Sequence, residues 1–325
     1  MDQPVVTEQW DEISSTLKTI LNYDYASSQV ALRNLYEKAK REQWNAGQDI
    51  DWSIPVDVER GILNDRRIAI YGTPLWDDLD EKRRRRLNYL ESAWSLSQFL
   101  HGEQGSLLVC GQLVDCIPAL EAKFYAASQT FDEARHVEVF ERYLNEKLGG
   151  VRPIDRDLRF ILDIALSSEL WQMKCICMQI LIEGLALGAF HTAYDSAYDP
   201  LIQQIVLRVI KDEARHVAFG VIMLREEIPT MSDAERVNLE DFCFSACQMM
   251  ATGFFPEHIY REVGFTDMEE LREIVMHSTA RLQFQRDMFS VTIPNLKRIG
   301  LLSPRVRPLY EQLGVLHYEA LPASA

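Results

Sequence analysis

The chain has 325 residues, 47% of them hydrophobic, with a formal charge of −15 and a pI near 5.0. That is enough apolar material for a sizeable core, in one large domain or two ordinary ones. The acidic balance argues against nucleic acid or an anionic membrane surface as the main partner.

Taken in order, residues 1 to about 45 carry Trp10, Ile13, Leu17, Ile20 and Leu21 near a 3.6 period, which predicts a helix. From 46 to 77 the pattern is broken by Gly47, Pro55, Gly61, Gly72 and Pro74, so an irregular strap across the bundle is expected. A long helix follows from about Asp78 to Val114. It opens with Asp77, Asp78, Asp80 and Glu81 before the basic run Arg83 to Arg86, an order that suits a solvated helix start. A second helix runs from about Ala119 to Leu148 and stops at Gly149-Gly150. After a short helix near 155–166, two more are expected over Ser168–Tyr194 and Pro200–Glu227. Capping boxes at Ser232-x-x-Glu235 and Thr266-x-x-Glu269 open two further helices. Pro294 and Pro304 mark a fading end. No alternating β pattern is long enough to count. The chain reads as all-α and as one domain, with an N-terminal helix and strap (1–77), a four-helix core (78–227), additional helices (228–303) and a tail (304–325).

The six cysteines, Cys110, Cys116, Cys175, Cys177, Cys243 and Cys247, form no C-x-x-C pair. They read as buried thiols in a reducing cytosol rather than as a disulfide frame. The N-terminus has neither a basic nor an apolar signal region, and the apolar runs read as broken by charge or glycine short of a membrane span. A cytoplasmic protein that uses no membrane is therefore expected.

One five-residue string occurs twice. Asp132-Glu133-Ala134-Arg135-His136 recurs unchanged as Asp212-Glu213-Ala214-Arg215-His216. Within each copy, Glu and His at i and i+3 share a helix face. Glu103 precedes Glu133 by the same interval as Glu183 precedes Glu213, so the two earlier glutamates repeat at the offset of the strings themselves. An interval of about thirty residues suits two antiparallel helices and a turn, with arms of about 18 Å. The chain thus holds two sets of a Glu, a hairpin-sized interval and a Glu-x-x-His. A zinc-protease reading fails, because that motif needs a His before the Glu, where Asp132 and Asp212 stand.

These two sets resemble the ferritin-like, carboxylate-bridged diiron superfamily, whose bundle site takes one Glu from each of two helices and Glu-x-x-His from each of the other two. The resemblance covers roughly residues 80 to 220. Its oxygen-activating branch includes monooxygenase hydroxylase subunits, acyl-carrier desaturases, ribonucleotide reductase small subunits and arylamine N-oxygenases. It implies Glu103, Glu133, His136, Glu183, Glu213 and His216 as ligands of two iron ions, with manganese or a mixed Mn/Fe pair as the open alternative and O2 as co-substrate. Carboxylate and imidazole donors suit these metals, and four carboxylates offset the charge of two divalent ions. It further implies that Asp132 orients His216 and Asp212 orients His136. Arg135 and Arg215 then pair with those aspartates or form ordinary helix salt bridges.

Four positions depart from particular branches. Phe140 stands where reductase small subunits carry a radical-bearing Tyr. Leu187 and Ala186 stand where hydrocarbon monooxygenases and desaturases carry a Thr, and Val209 where arylamine N-oxygenases carry a seventh ligand. Phe140 and Gly220 are repeat equivalents, and a ring opposite no side chain suggests a pocket. With Phe99, Leu107, Ile180, Leu187 and Phe190 it would form an apolar substrate cavity. Glu91, about 120° round the helix from Glu103, is expected at the surface or beside the ligands, and His191 as a satisfied core histidine.

The expected function is a diiron oxygenase or oxidase that hydroxylates or N-oxygenates a small, mostly apolar substrate. No flavin or ferredoxin motif is present, so electrons would come from an external reductase or ferredoxin. A homodimer is compatible with the apolar helices. The alternatives are a radical-generating or ligand-binding oxidase subunit that works with a partner, and a ferroxidase or iron-handling protein.

Overall fold

Two helical hairpins of equal arm length set the core of the structure, a computed structural model that describes residues 11–26 and 29–323. The first hairpin is α2 (Glu81–Cys116) and α3 (Leu120–Lys147), packed along their lengths. The second is α5 (Trp171–Ser196) and α6 (Pro200–Glu227). The stretch 103–116 runs from Glu103 to the end of α2, and 120–133 runs from the start of α3 to Glu133, so the two arms are equal. The second hairpin repeats both stretches, from Glu183 to Ser196 and from Pro200 to Glu213. At about 1.5 Å per residue the two arms of each hairpin return to one height. Equal arms are what carry four carboxylates to a single level.

Local chemistry ends these helices where the hairpins need it. Asp80 caps α2 by accepting from the Arg83 N–H, and Asp199 caps α6 by accepting from Leu201 and Ile202, with Pro200 in the first helical position. Around the hairpins lie α1 (Val30–Arg41), which packs against α3 and α6, and α4 (Arg156–Ser167) against α2. Beyond them come α7 (Asp233–Thr252), α8 (Glu257–Val263), α9 (Met268–Met276), α10 (Thr279–Arg298) and α11 (Arg307–Gln312). Of these, α10 lies along α5. Among the described residues there is no β-strand, only an isolated bridge between Leu63 and Ala197. The all-α expectation holds.

Several local expectations are corrected. Residues 11–26 form no helix. They run as an arm in which Ile13 and Leu17 pack on the core and the Ile20 N–H donates to Asp115 O at 3.0 Å. Ile13 and Leu17 are contact points along this arm, which bonds to the α2–α3 turn and to itself only over residues 22–26, while Leu21 is exposed; Trp10 lies outside the described residues. Thr266 opens no capping box: Asp267 is the cap of α9 and accepts from Glu269 and Glu270. The Ser232–Glu235 box is present. Pro294 sits inside α10 rather than ending it, and the segment after 303 is structured, with Val306, Tyr310 and Val315 buried in the core.

The apolar runs are also longer than expected. Helix α5 is long and apolar enough to cross a membrane, but 78% of its apolar window is buried among the other helices. It is apolar all round because α2, α6 and α10 enclose it. All six cysteines are buried and free.

The strap at 46–77 closes one end of the bundle. The Asn64 N–H donates to Ser196 O at 2.8 Å and the Tyr198 N–H to Ile62 O at 2.9 Å, tying the strap to the α5–α6 turn. Asn88, buried on α2, accepts from Ile62 N–H and donates to Leu63 O. Gly61 makes the turn at φ +96°, and a Cβ there would lie 3.0 Å from the Asn88 side chain.

Candidate metal centre

Each core helix contributes to one buried cluster. Glu103 comes from α2, Glu133 and His136 from α3, Glu183 from α5, and Glu213 and His216 from α6, and none is more than 4% exposed. Donor atoms of Glu103, Glu133, His136 and Glu213 lie within 4.8 Å of one another, as do those of Glu133, Glu183 and His216. Glu133 belongs to both groups. The structure brings all six sequence-derived residues together.

Part of the cluster converges without being satisfied. His216 Nδ1 is 3.1 Å from Glu133 and 3.5 Å from Glu213, yet makes a hydrogen bond with neither, and both Glu213 oxygens are likewise buried and unbonded. Unsatisfied buried donors and acceptors are costly, and a cluster of them aimed at common points fits cation ligation. His136 Nδ1 lies 3.0 Å from Glu103 and 3.2 Å from Glu133. Both imidazoles thus turn Nδ1 to the carboxylates and Nε2 away.

The electrostatics follow from four buried acids and two imidazoles. Burial, reinforced by the neighbouring glutamates, holds Glu103 and Glu183 well above the usual carboxylate range. Burial works against ionised Glu133 and Glu213 too, but the imidazoles outweigh it and lower both. His136 and His216 are raised well above the ordinary imidazole value, because the surrounding carboxylates overcome burial. The cluster therefore retains protons that divalent ions would displace.

A second layer crosses between the hairpins. His136 Nε2 lies 3.2 Å from Asp212, and His216 Nε2 lies 3.4 Å from Asp132. Arg135 donates to Asp132 at 2.5 Å and to Asp212 at 3.2 Å; Arg215 donates to Asp212 at 2.5 Å and to Asp132 at 3.2 Å. Burial opposes the charge on both aspartates, but imidazole and guanidinium neighbours lower both. The segment after α1 completes this layer, with Gln43 donating to Asp132 at 3.0 Å, Trp44 Nε1 donating to Asp212 at 2.8 Å, and Glu42 accepting from Arg215 at 2.9 Å. Sequence reasoning missed Glu42, Gln43 and Trp44, which carry no repeat or spacing signal. It also missed Gln129, which sits at i−4 from Glu133 on the ligand face, an offset that could have found it.

An apolar cavity of about 200 Å³ opens beside the cluster, bounded by Glu103 and Glu183 at one end and by Phe99, Ala186, Phe190 and Phe254 along its walls. Of the expected pocket residues only Phe99 and Phe190 line it. Phe140 is fully buried behind them, its ring 5.8 Å from each. Leu107, Ile180 and Leu187 do not line it. Gly220 opens no space either, because a Cβ there would lie 2.3 Å from Gln179 Cβ. The glycine admits the π-helical segment Ile176–Ile182 that precedes Glu183, and such segments commonly accompany functional sites. His191 is exposed rather than in the core, its Nδ1 2.7 Å from Leu187 O.

Glu91 is neither on the outer surface nor beside the ligands. It faces the cavity, where Tyr260 donates to it, and burial pushes its carboxyl up to about 7 against that bond and nearby Arg67. Between its unfolded value near 4.5 and about 7, the folded state holds a proton that the unfolded state releases, so this group costs stability as pH rises through that window. Glu91→Gln is expected to melt higher than the parent at pH 8 and close to it at pH 4. Equal differences at both pH values would remove Glu91 as the source.

A protein-family model described as p-aminobenzoate N-oxygenase AurF matches residues 26–300. No curated protein matches the chain. Among solved structures, an R2-like ligand-binding oxidase variant with an anaerobically reconstituted Mn/Fe cofactor aligns with a TM-score of 0.51 at 17% identity, over 86% of this chain and 95% of the other. A second variant of that oxidase, with an aerobically reconstituted Mn/Fe cofactor, gives 0.51 at 18% identity over the same shares. These neighbours share the fold. The family match spans both Glu-x-x-His hairpins and most of the surrounding helices, and the chain therefore belongs to the p-aminobenzoate N-oxygenase AurF family of O2-dependent oxidoreductases.

Proposed function

We propose that the protein is a dinuclear metal oxygenase or oxidase that oxidises a small, mostly apolar organic molecule, by N-oxygenation or hydroxylation. The observation that carries this reading is the pairing of a buried, doubly repeated Glu and Glu-x-x-His cluster with an apolar cavity that opens on Glu103 and Glu183. Glu103, Glu133, His136 and Glu213 would hold one ion, and Glu133, Glu183 and His216 the other, with Glu133 shared. Oxygen and imidazole donors without thiolate favour iron or manganese. The solved neighbours carry Mn/Fe cofactors, and two irons or a mixed pair would both suit this donor set. A reduced pair of such ions would supply the electrons that dioxygen activation needs.

The chain's own residues do the rest. Asp212 and Asp132 accept from the Nε2–H of His136 and His216 and so keep each Nδ1 lone pair turned inward. Arg135 and Arg215 keep those aspartates ionised. Phe99 and Phe190, with centroids 4.5 Å apart, shield the Glu103 side from water and offer an apolar wall to a substrate ring or chain. An external electron donor is required, since the chain has no flavin or iron–sulfur motif. A Phe140 ring where reductase subunits carry their radical Tyr speaks against a stable radical at that position.

The test is metal content with the absorption spectrum of the reduced protein on mixing with oxygen. Two metal ions per chain, a transient visible band and an oxidised product from a small apolar amine or hydrocarbon are expected. One zinc, or no metal after anaerobic iron loading, would sink the reading. Oxygen uptake with iron alone and no organic product would move the assignment to ferroxidase.

A further inference from the structure

The internal repeat is broken at two positions that touch the cluster, and both breaks favour the same carboxylate. Ser106 Oγ donates to Glu183 Oε1 at 3.1 Å, and Gln129 Nε2 donates to the same oxygen at 3.2 Å and to Glu133 Oε1 at 2.9 Å. Both residues are at most 2% exposed. At the repeat-equivalent positions stand Ala186 and Val209, which have no side-chain donor. Glu103, the repeat partner of Glu183, accordingly meets only His136 among the described residues, at 3.0 Å, and His136 is itself in the cluster. One terminal carboxylate is pinned from outside by two donors, and its twin by none.

Gln129 accepts a cost for this arrangement. Its carbonyl oxygen is buried with no partner, a penalty that an apolar residue such as Val would avoid. The opposite amide orientation would set that oxygen against two carboxylates, so the N–H side is the one that faces them. A residue serving only to fill space has no reason to carry an orphaned acceptor.

We propose that Ser106 and Gln129 are positioning residues that lock the Glu183 carboxylate, while Glu103 is left free to change its coordination. Both carboxylates face the cavity, but the two metal positions are then unequal: the Glu183 position is tight and fixed, and the Glu103 position is the labile one. This rests on the ligand assignment proposed above. Hydrogen bonds to a ligating carboxylate fix its orientation and typically govern about 10–100-fold in metal affinity. The Ala186 side of Glu103 is cavity wall, so a shift of that carboxylate clears space where a substrate would lie.

Anaerobic titration of the metal-free full-length chain with Mn(II), followed by electron paramagnetic resonance, reads the two positions separately. The parent is expected to take up two Mn(II) in two steps of unequal affinity. Ser106→Ala is expected to weaken the tighter step about tenfold and leave the weaker one unchanged, while adding Gln129→Val, which also frees the shared Glu133, is expected to weaken the tighter step further and by more than the weaker one. Ser106→Thr, which keeps the hydroxyl, is expected to retain the tight step, and Ala186→Ser to strengthen the weak one. Circular dichroism and melting report whether each variant folds. If the double variant does not fold, Ser106→Ala alone carries the test. Equal steps in the parent, or a double variant that weakens both steps alike or neither, would overturn the proposal while leaving the metal centre standing. No metal uptake by the parent would instead remove the ligand assignment.

Discussion

Glu133→Ala is expected to lose at least one of the two metal equivalents and, with it, O2-dependent turnover. Glu133 is the residue common to both donor groups and lies within 3.2 Å of both His136 and His216. Its removal takes an oxygen donor from each position and strips a carboxylate from two buried imidazoles. Breaking a buried charged pair on one side costs about 3–5 kcal/mol, so the metal-free variant is also expected to melt lower. Glu133→Gln keeps the volume and separates the two effects: it should restore much of the folding stability but not the full metal content. His216→Ala removes the one imidazole of the Glu183 group and is expected to lose that ion. Two full equivalents bound by Glu133→Ala or His216→Ala, measured by elemental analysis on protein shown to be folded, would refute the assignment.

Gly220→Ala is expected to be a strongly damaging conservative change outside the ligands. The added Cβ would sit 2.3 Å from Gln179 Cβ and 3.2 Å from its Cγ, well inside van der Waals contact. Either α6 or the π-helical segment must move, and forcing a methyl group into a packed core costs about 1–3 kcal/mol. Glu183 follows directly on that segment, so the displacement reaches the Glu183 position and should lower its metal occupancy as well as the melting temperature. Gly111→Ala is the control. It lies in α2 with nothing within 4 Å of the added carbon, and an alanine in mid-helix is about 0.5–1 kcal/mol better than glycine. A Gly220→Ala protein that melts with or above Gly111→Ala would show that the segment yields freely.

The membership of the AurF family sits beside a departure in this chain, since Val209 occupies the place at which arylamine N-oxygenases carry a seventh ligand. Val209 is fully buried and packs with Phe140, Phe190 and Val206 in an apolar cluster. At the repeat-equivalent position Gln129 bonds two glutamates. The chain therefore keeps one polar neighbour at this height of the bundle, on the opposite hairpin.

The amino-acid sequence alone determined the all-α class, the two hairpins and the six residues that meet in the cluster. It could do so because helix geometry is local: a fixed rise per residue turns equal intervals into equal heights, and i,i+3 spacing turns Glu-x-x-His into one face. The helix start at Pro200 and the Ser232–Glu235 capping box were legible for the same reason, whereas the cap at Asp80 lies two residues beyond the expected start at Asp78. What tertiary structure alone decided is everything that depends on which faces meet. Trp44 and Gln43 reach the aspartates because α1 packs across α3 and α6, a contact with no periodic trace in the chain. The arm at 11–26 has helical spacing but bonds to the α2–α3 turn, so packing overrode pattern. Gly220 looked like space and proved to be close contact, because whether a missing side chain leaves a void or admits a neighbour is settled by the backbone opposite it. Glu91 likewise could be placed on its helix by angle, yet only the loop carrying Ala69 and the helix carrying Tyr260 made its surroundings a cavity wall rather than solvent.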